Sequence, residues 1–284
     1  ELAWHALEDA GVVPASLRSG AVGVYVGISG SGYALHLAAT PGPRDGTQLT
    51  GALCSIAANR ISYSLGVHGP SLAVDTACSS SLVATQLACE ALARGDADLA
   101  LAGGVSLILD SLISSALTKA GVLSSDGRCK SFDAGANGYV RGEGAALVVL
   151  RRLEDAERAG DRIYAVIRGG AVNQDGPSNG LMAHNRTAQK MLLERAYQRA
   201  GVDPGRVDYV EAHGTGTLLG DPIEASALGH AVGRGRASSG PCRIGTCKTN
   251  VGHLEAAAGA AGLVKCCLML HHRSLVPSLN FETP

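Results

Sequence analysis

The chain has 284 residues, of which 46% are hydrophobic and 17% charged, so it can bury a sizeable core and is not a disordered chain. A formal net charge of −1 argues against a nucleic acid or a membrane surface as the main partner. Aromatic residues make up only 4%, whereas glycines number 38, which indicates an interior shaped by close backbone packing.

Strands alternate with helices along most of the sequence. After a helical pattern at 1–11, the predicted strands are 22–27, 72–76, 99–105, 146–150, 164–171, 207–211 and 243–247. The predicted helices that follow the first one are 53–65, 79–94, 187–200, 222–232 and 253–270. This alternation is typical of an α/β fold with largely parallel or mixed sheets. The charged stretch 151–161 is the best candidate for a joint, so we predict two halves, 1–153 and 154–284.

The eight cysteines have no regular spacing, and a chain of this length needs no disulfides, so we expect reduced thiols in the cytoplasm. Neither Cys242 with Cys247 nor the group at 266–272 has a recognised metal-ligand spacing, and we predict no metal site. No segment resembles a signal peptide or a membrane span. The sequence opens directly into a helix and closes without a stop signal, so we expect both ends to be cut.

Cys78 lies where strand chemistry changes to helix chemistry, within 71–82 (SLAVDTACSSSL). A thiol at the start of a helix faces unpaired N–H groups and the positive end of the helix dipole, which favour the thiolate. The sequence therefore predicts that Cys78 is a nucleophile.

A second candidate site is 207–217 (VDYVEAHGTGT), where His213 ends a strand and is followed by two glycines and two threonines. Glycines there let a ligand approach the backbone, and the hydroxyls of Thr215 and Thr217 offer hydrogen bonds to an amide-bearing ligand. The alternative is a glycine-rich turn with a capping histidine. The glycine spacing fits neither the dinucleotide pattern nor a phosphate loop.

The third site is 248–255 (KTNVGHLE), in which His253 is expected to open an alanine-rich helix. The helix dipole there would lower the imidazole pKa, and a neutral ring can donate one N–H to a developing oxyanion. A lone histidine near a helix start is otherwise a structural residue. For Asp221 and Glu224 the sequence favours a capping box without a catalytic role.

Together these segments resemble the β-ketoacyl synthase family, specifically the ketosynthase domains of modular type I polyketide synthases. The matching stretches are 74–82 (VDTACSSSL), 121–133 (GVLSSDGRCKSFD), 138–144 (GYVRGEG), 173–180 (NQDGPSNG), 211–217 (EAHGTGT) and 248–259 (KTNVGHLEAAAG). The sequence departs from the family pattern at 183–185 (AHN), 218–219 (LL) and 246–247 (TC), and we expect these departures to touch the substrate channel.

The resemblance implies a thiolase-like layered αβαβα fold with two pseudo-symmetric halves, here incomplete at both termini, and a homodimer. An opening strand before Glu1 and a Phe- and Gly-rich turn after Pro284 would be missing, so we expect a fragment that is inactive by itself. The implied partners are an acyl carrier protein and the neighbouring domains of a larger synthase. No cofactor would bind directly, because phosphopantetheine arrives on the carrier.

The resemblance also implies the roles of the site residues. Cys78 would attack an acyl thioester, with its own backbone N–H as one oxyanion donor. His213 and His253 would stabilise the enolate left when a malonyl-type extender loses carbon dioxide. Lys248 would fix the charge and geometry of the histidine pair, and Thr215 and Thr217 would bind the pantetheine amides.

Other enzymes with the same fold use different catalytic residues. A degradative thiolase pairs its cysteine with a histidine and a second reactive cysteine, and a CoA-dependent initiating synthase uses Cys, His and Asn. A decarboxylating loading variant has Gln in place of the nucleophile, and a transfer-only variant lacks the histidine of the second motif. The trio Cys78, His213 and His253 favours the elongating type, and its integrity argues against a silent scaffold that only binds carriers.

Overall fold

The computed structural model describes residues 1–30, 32–42, 45–180, 183–233, 235–236 and 240–284. They form two compact units. The first contains Glu1–Ser115, Gly142–Ala165 and Leu254–His271, and the second contains Ala116–Arg141, Val166–His253 and His272–Pro284. Each unit is made of three separate segments of the chain, whereas the predicted halves 1–153 and 154–284 are each one continuous segment. The boundary at 153/154 therefore stays a prediction.

The elements follow one another in the predicted α/β alternation. The strands are β1 (Val22–Ile28), β2 (Ser71–Val74), β3 (Leu99–Ser106), β4 (Gly144–Leu150), β5 (Tyr209–Glu211) and β6 (Arg243–Gly245). The helices are α1 (Leu2–Asp9), α2 (Gly32–Ala39), α3 (Gly46–Ala52), α4 (Ser55–Leu65), α5 (Ser80–Arg94), α6 (Leu112–Lys119), α7 (Leu153–Ala159), α8 (Arg186–Ala200), α9 (Gly220–Val232), α10 (Lys248–Val251) and α11 (Ala258–His272). Single 3₁₀ turns are Pro14–Leu17, Ala77–Ser79, Pro204–Arg206 and Glu255–Ala257.

In the described part of the first unit, one sheet has the strand order β2-β1-β3-β4. Strand β1 runs parallel to β2 and β3, and β4 runs antiparallel to β3. Side chains alternate between the faces of β1: Val24 and Val26 pack with α1 and α4, whereas Tyr25 packs with the alanines of α5. Because both faces are covered, β1 and β3 read as almost continuous apolar runs in the sequence.

Small residues bring the first turn of α5 close to the sheet. A Cβ atom at Gly27 would stand 2.5 Å from the backbone nitrogen of Ser81, so only glycine leaves room for the helix there. Ser80 and Ser81 are fully buried, and the Ser81 hydroxyl accepts a hydrogen bond from the Ala260 N–H at 2.9 Å. This packing fixes the start of α5, which directly follows the turn that carries Cys78.

The second unit contains a short parallel pair, β5 and β6, with Val210 opposite Ile244. Helices α8 and α9 pack against each other. The predicted strand at 164–171 is wrong, because those residues form no strand in the structure. Val166 and Ile167 have strand chemistry, but strand chemistry produces a strand only where a partner strand is paired with it.

The other predicted strands and helices are present with shifted ends. The charged stretch predicted as a joint contains helix α7, which its i,i+3 ion pairs from Asp155 to Arg152 and Arg158 support. In the described parts of the chain, no helix is long and apolar enough to cross a membrane.

Candidate functional site

Cys78 lies in the 3₁₀ turn between β2 and α5, in the first unit, and it is exposed. The preceding residue, Ala77, has φ +53°, a left-handed conformation that is strained for a residue with a side chain. Hydrogen bonds hold this turn: Ala77 N–H donates to Asp75 at 3.0 Å, and the Ser80 hydroxyl donates to the Ala77 carbonyl at 2.6 Å. The thiol is thus presented to solvent on a fixed, strained turn at the start of a 15-residue helix.

His213 follows β5 in the second unit, and a carboxylate of helix α9 holds its backbone. Glu224 accepts hydrogen bonds from the N–H groups of His213 at 2.7 Å and of Gly214 at 2.8 Å. Gly214 has φ +45° and Gly216 has φ +73°, which explains the need for glycine at both positions. On its other side, the Gly214 carbonyl accepts a hydrogen bond from the Ser131 hydroxyl.

Asp221 holds the rest of the same loop from within the helix. It is only 3% exposed and accepts the N–H groups of Phe132 at 2.7 Å, Gly216 at 3.0 Å and Thr217 at 3.3 Å. The predicted capping box is therefore wrong: α9 begins at Gly220, and no side chain caps it. The glycine-rich loop folds over the first turn of the helix, so both carboxylates bind loop N–H groups instead of helix N–H groups.

His253 is 1% exposed and lies beside His213, with 5.4 Å between the ring centroids and the rings nearly perpendicular. Its backbone N–H donates to the Val140 carbonyl at 2.7 Å, and the Tyr139 ring packs edge-on against the imidazole with 5.1 Å between the ring centroids. The predicted position of His253 at the opening of the long helix is wrong, because a 3₁₀ turn intervenes and α11 begins only at Ala258.

Desolvation by the surrounding protein favours the neutral form of both imidazoles. Desolvation, followed by the nearby charge of Lys248, lowers the pKa of His253 from 6.5 to about 2 and that of His213 from 6.5 to about 3. The side chain of His213 keeps solvent-exposed surface, so His253 is the fully buried ring of the pair. The predicted neutral ring of His253 thus results from burial instead of from a helix dipole.

Lys248 is 5% exposed, and its charge lowers the pKa of both histidines and opposes the burial that raises the pKa of Glu224. Glu211 at the end of β5 fixes the turn before Lys248, since it accepts the Cys247 N–H at 2.6 Å and the Tyr209 hydroxyl at 2.6 Å. A buried ammonium beside two neutral imidazoles is arranged to favour negative charge that develops near the rings.

The hydroxyl oxygens of Thr215 and Thr217 are 3.2 Å apart, so one donates to the other. The Thr217 oxygen also accepts the Gly220 N–H at 3.2 Å. Thr215 is buried and lines a cavity of about 220 Å³ together with His213 and Glu224. The second unit thus brings together the two threonines, both histidines and Lys248, while Cys78 belongs to the first unit.

Sequence reasoning missed Asp221 and Glu224 as supports of the site. The sequence carries no signal that separates the two roles, because two acidic residues three positions apart at a helix start also make a capping box. Among the described residues, no group of His, Cys, Asp and Glu is arranged to hold a metal ion, and none of the eight cysteines forms a disulfide.

Comparison with known proteins gives this arrangement a family. Residues 1–156 match the family described as "Beta-ketoacyl synthase, N-terminal domain", and residues 164–282 match "Beta-ketoacyl synthase, C-terminal domain". The chain belongs to the β-ketoacyl synthase family. The predicted resemblance to the ketosynthase domains of modular polyketide synthases is confirmed.

Curated relatives are much longer than this ketosynthase chain. A phenolphthiocerol/phthiocerol polyketide synthase of Mycobacterium tuberculosis is 55% identical over 283 residues, which are 100% of this chain and 15% of that protein. Polyketide synthase GfsA of Streptomyces halstedii is 55% identical over 285 residues, which cover 100% of this chain and 4% of that protein.

Solved ketosynthases share the fold. The ketosynthase from module 6 of the bacillaene synthase of Bacillus subtilis 168 is 46% identical with a TM-score of 0.90, over 98% of this chain and 48% of that chain. The oxazolomycin ketosynthase domain OzmH KS7 of Streptomyces albus JA3453 is 43% identical with a TM-score of 0.91, over 99% of this chain and 49% of that chain. The expected thiolase-like α/β fold class is confirmed.

Proposed function

We propose that this ketosynthase chain catalyses the decarboxylative Claisen condensation that lengthens a polyketide. The acyl donor is a thioester on the phosphopantetheine arm of an acyl carrier protein, and the extender is a malonyl-type thioester on a second carrier. The family match and the chemistry of the paired histidines support this proposal.

In the first stage, the Cys78 thiolate attacks the carbonyl carbon of the acyl thioester. A new C–S bond to Cys78 forms, the bond to the carrier sulfur breaks, and the carrier leaves as a thiol after it gains a proton. The exposed position of Cys78 on a strained turn at a helix start suits this role, because the helix dipole favours a thiolate.

In the second stage, the extender loses its carboxylate as carbon dioxide, and the electron pair of that C–C bond passes into a thioester enolate. The neutral imidazoles of His213 and His253 donate hydrogen bonds to the enolate oxygen, and the buried Lys248 favours its negative charge. The enolate carbon then attacks the acyl-Cys78 carbonyl, which gives a β-ketoacyl thioester and returns the Cys78 thiolate.

The pair of neutral imidazoles with ring centroids 5.4 Å apart, of which His253 is buried and His213 keeps exposed surface, is the observation that carries this proposal. A second reactive cysteine, as in a degradative thiolase, would need a thiolate near the rings. Cys129 lies close enough to Lys248 for the lysine charge to lower its pKa, but burial outweighs that charge and raises the pKa, which disfavours the thiolate. The enolate role therefore fits the pair better than thiolysis does.

Further parts of the proposal concern partners and organisation. We propose that Thr215 and Thr217 bind the pantetheine amides, that no cofactor binds the chain directly, and that the protein acts as a homodimer beside other domains of a larger synthase. The division into halves at 153/154 also stays a proposal, supported by separate family matches over 1–156 and 164–282.

Separate measurements of loading and condensation test this function. In the ketosynthase that carries this chain, Cys78→Ala should abolish acyl loading, while Cys242→Ala, a change at a thiol outside the proposed machinery, should leave it intact. His253→Ala should load normally and condense at least about a hundredfold more slowly, the range found for lost oxyanion donors. Normal loading by Cys78→Ala refutes the nucleophile, and normal condensation by His253→Ala refutes the enolate role.

A further inference from the structure

The cavity of about 220 Å³ beside His213 contains a histidine that the proposed mechanism does not use. Its polar wall is formed by His184, Gln189, His213 and Thr215, and three leucines of α8 and α9 supply its apolar wall. A cavity with hydrogen-bonding groups on one side and leucines on the other suits a ligand that has a polar group between methylenes.

The surroundings of His184 fix its position. Its Nε2 atom lies 3.0 Å from the place where a Cβ atom of Gly220 would stand, so the ring lies against the first turn of α9. The backbone N–H of the next residue, Asn185, donates a hydrogen bond to the Asp175 carboxylate at 3.0 Å, and the Asn185 side-chain amide donates to the Asp175 carbonyl at 2.8 Å. Asn185 also caps α8. The imidazole of His184 is thus held at the cavity wall and stays accessible to a ligand.

We propose that His184 binds the amide of the pantetheine arm that is nearest the thioester, an inference that rests on the proposed function. His213 acts at the thioester, and two methylenes separate the thioester sulfur from the first amide nitrogen. His213 and His184 line the same cavity, so an arm that runs from a thioester at His213 into this cavity brings that amide beside His184. The ring nitrogens of His184 can hydrogen-bond with an amide, and the leucines can contact the methylenes.

The charges of the cavity favour an amide over the carboxylate of the extender. Glu224 lines the cavity, and its two oxygens already accept the N–H groups of His213 and Gly214. A second carboxylate beside Glu224 would be repelled, whereas a neutral amide is not. The hydroxyls of Thr215 and Thr217 already share a hydrogen bond with each other. His184 is not part of that pair, so it offers the arm a separate hydrogen-bonding partner.

The test uses substrates with and without the amide. In the ketosynthase that carries this chain, His184→Ala should raise KM for a malonyl-pantetheine thioester about fivefold to tenfold, the value of one lost hydrogen bond, with kcat within about twofold. The KM for an amide-free alkyl thioester should not change. His184→Asn, which keeps a donor and an acceptor, should recover part of the loss, and His5→Ala on helix α1 is the matched control.

A binding measurement separates this proposal from the proposed function. Pantetheine titrated into the protein and followed by NMR should bind about fivefold to tenfold more weakly to His184→Ala, whether or not condensation is observed. Equal affinity for pantetheine, or an equal KM increase with the amide-free thioester, overturns the role of His184. Absence of condensation in the wild-type enzyme, with the pantetheine difference intact, refutes the proposed function alone.

Discussion

Replacing Glu224 by glutamine tests how the His213 loop is held. The carboxylate uses both oxygens, one on the His213 N–H at 2.7 Å and one on the Gly214 N–H at 2.8 Å. Glutamine keeps one oxygen and places an NH₂ group, a donor, opposite the other backbone donor. One charge-assisted hydrogen bond is lost, and the N–H group that it served stays unsatisfied.

Hydrogen bonds to charged groups contribute about 1.5–3 kcal/mol each. If the same free energy is lost from the stabilisation that His213 gives to the enolate-forming transition state, condensation should slow about tenfold to hundredfold, because about 1.4 kcal/mol corresponds to a factor of ten. Acyl loading of Cys78 needs no enolate, so its rate should stay within about twofold of wild type.

The assay follows each stage separately: acylation by mass spectrometry, and condensation of pre-acylated enzyme with a malonyl carrier. Glu194→Gln is the matched control, since Glu194 lies on α8 with 53% of its side chain exposed. Condensation at the wild-type rate in Glu224→Gln would refute the positioning role. An equal fall of loading and condensation would show that the damage is not confined to His213.

Three predictions concern stability. The pKa values of His213 and His253 lie below 6.5 in the folded state, so the unfolded state binds more protons between about pH 3 and pH 6.5. The free energy of unfolding, measured with urea, should therefore fall as pH is lowered through that window, by up to about 1.4 kcal/mol per pH unit for the buried His253 and by less for the solvent-exposed His213. His253→Gln should flatten this slope, and an unchanged slope would contradict the burial of a neutral ring. Asp221→Asn should lower the free energy of unfolding by about 1.5–3 kcal/mol, because the charged acceptor of three backbone N–H groups is lost. If an Asp→Asn change at an exposed position lowered the free energy of unfolding as much, this reasoning would be contradicted. Gly27→Ala should destabilise by about 1–3 kcal/mol through overpacking against α5, whereas Gly46→Ala, with open space around its Cβ position, should not; equal melting temperatures of the two variants would refute the close approach.

Local chemistry made much of the fold predictable from the sequence. The continuous apolar runs of β1 and β3 and the apolar spacing of α5 are signals that burial on both faces produces. The segment 164–171 has the same composition without a paired strand, because pairing is a long-range property that composition does not encode.

For the candidate site, the sequence predicts a set of residues but not their arrangement. Sequence motifs predict the roles of Cys78, His213 and His253, which stay predictions, whereas the strained φ of Ala77 is a structural feature that no residue type indicates. Asp221 and Glu224 look like a capping box because their spacing is the same. Only the fold of the loop over α9 shows that their partners are loop N–H groups.

Peptide-level mass spectrometry of the acylated protein tests the central claim most directly. After brief exposure of the ketosynthase to an acyl thioester, we predict one acyl group, on the peptide that contains Cys78 and on none of the other seven cysteines. Addition of a malonyl carrier should remove that group and yield the β-ketoacyl product. An acyl group on another cysteine, or one on Cys78 that the malonyl carrier does not consume, would contradict the account.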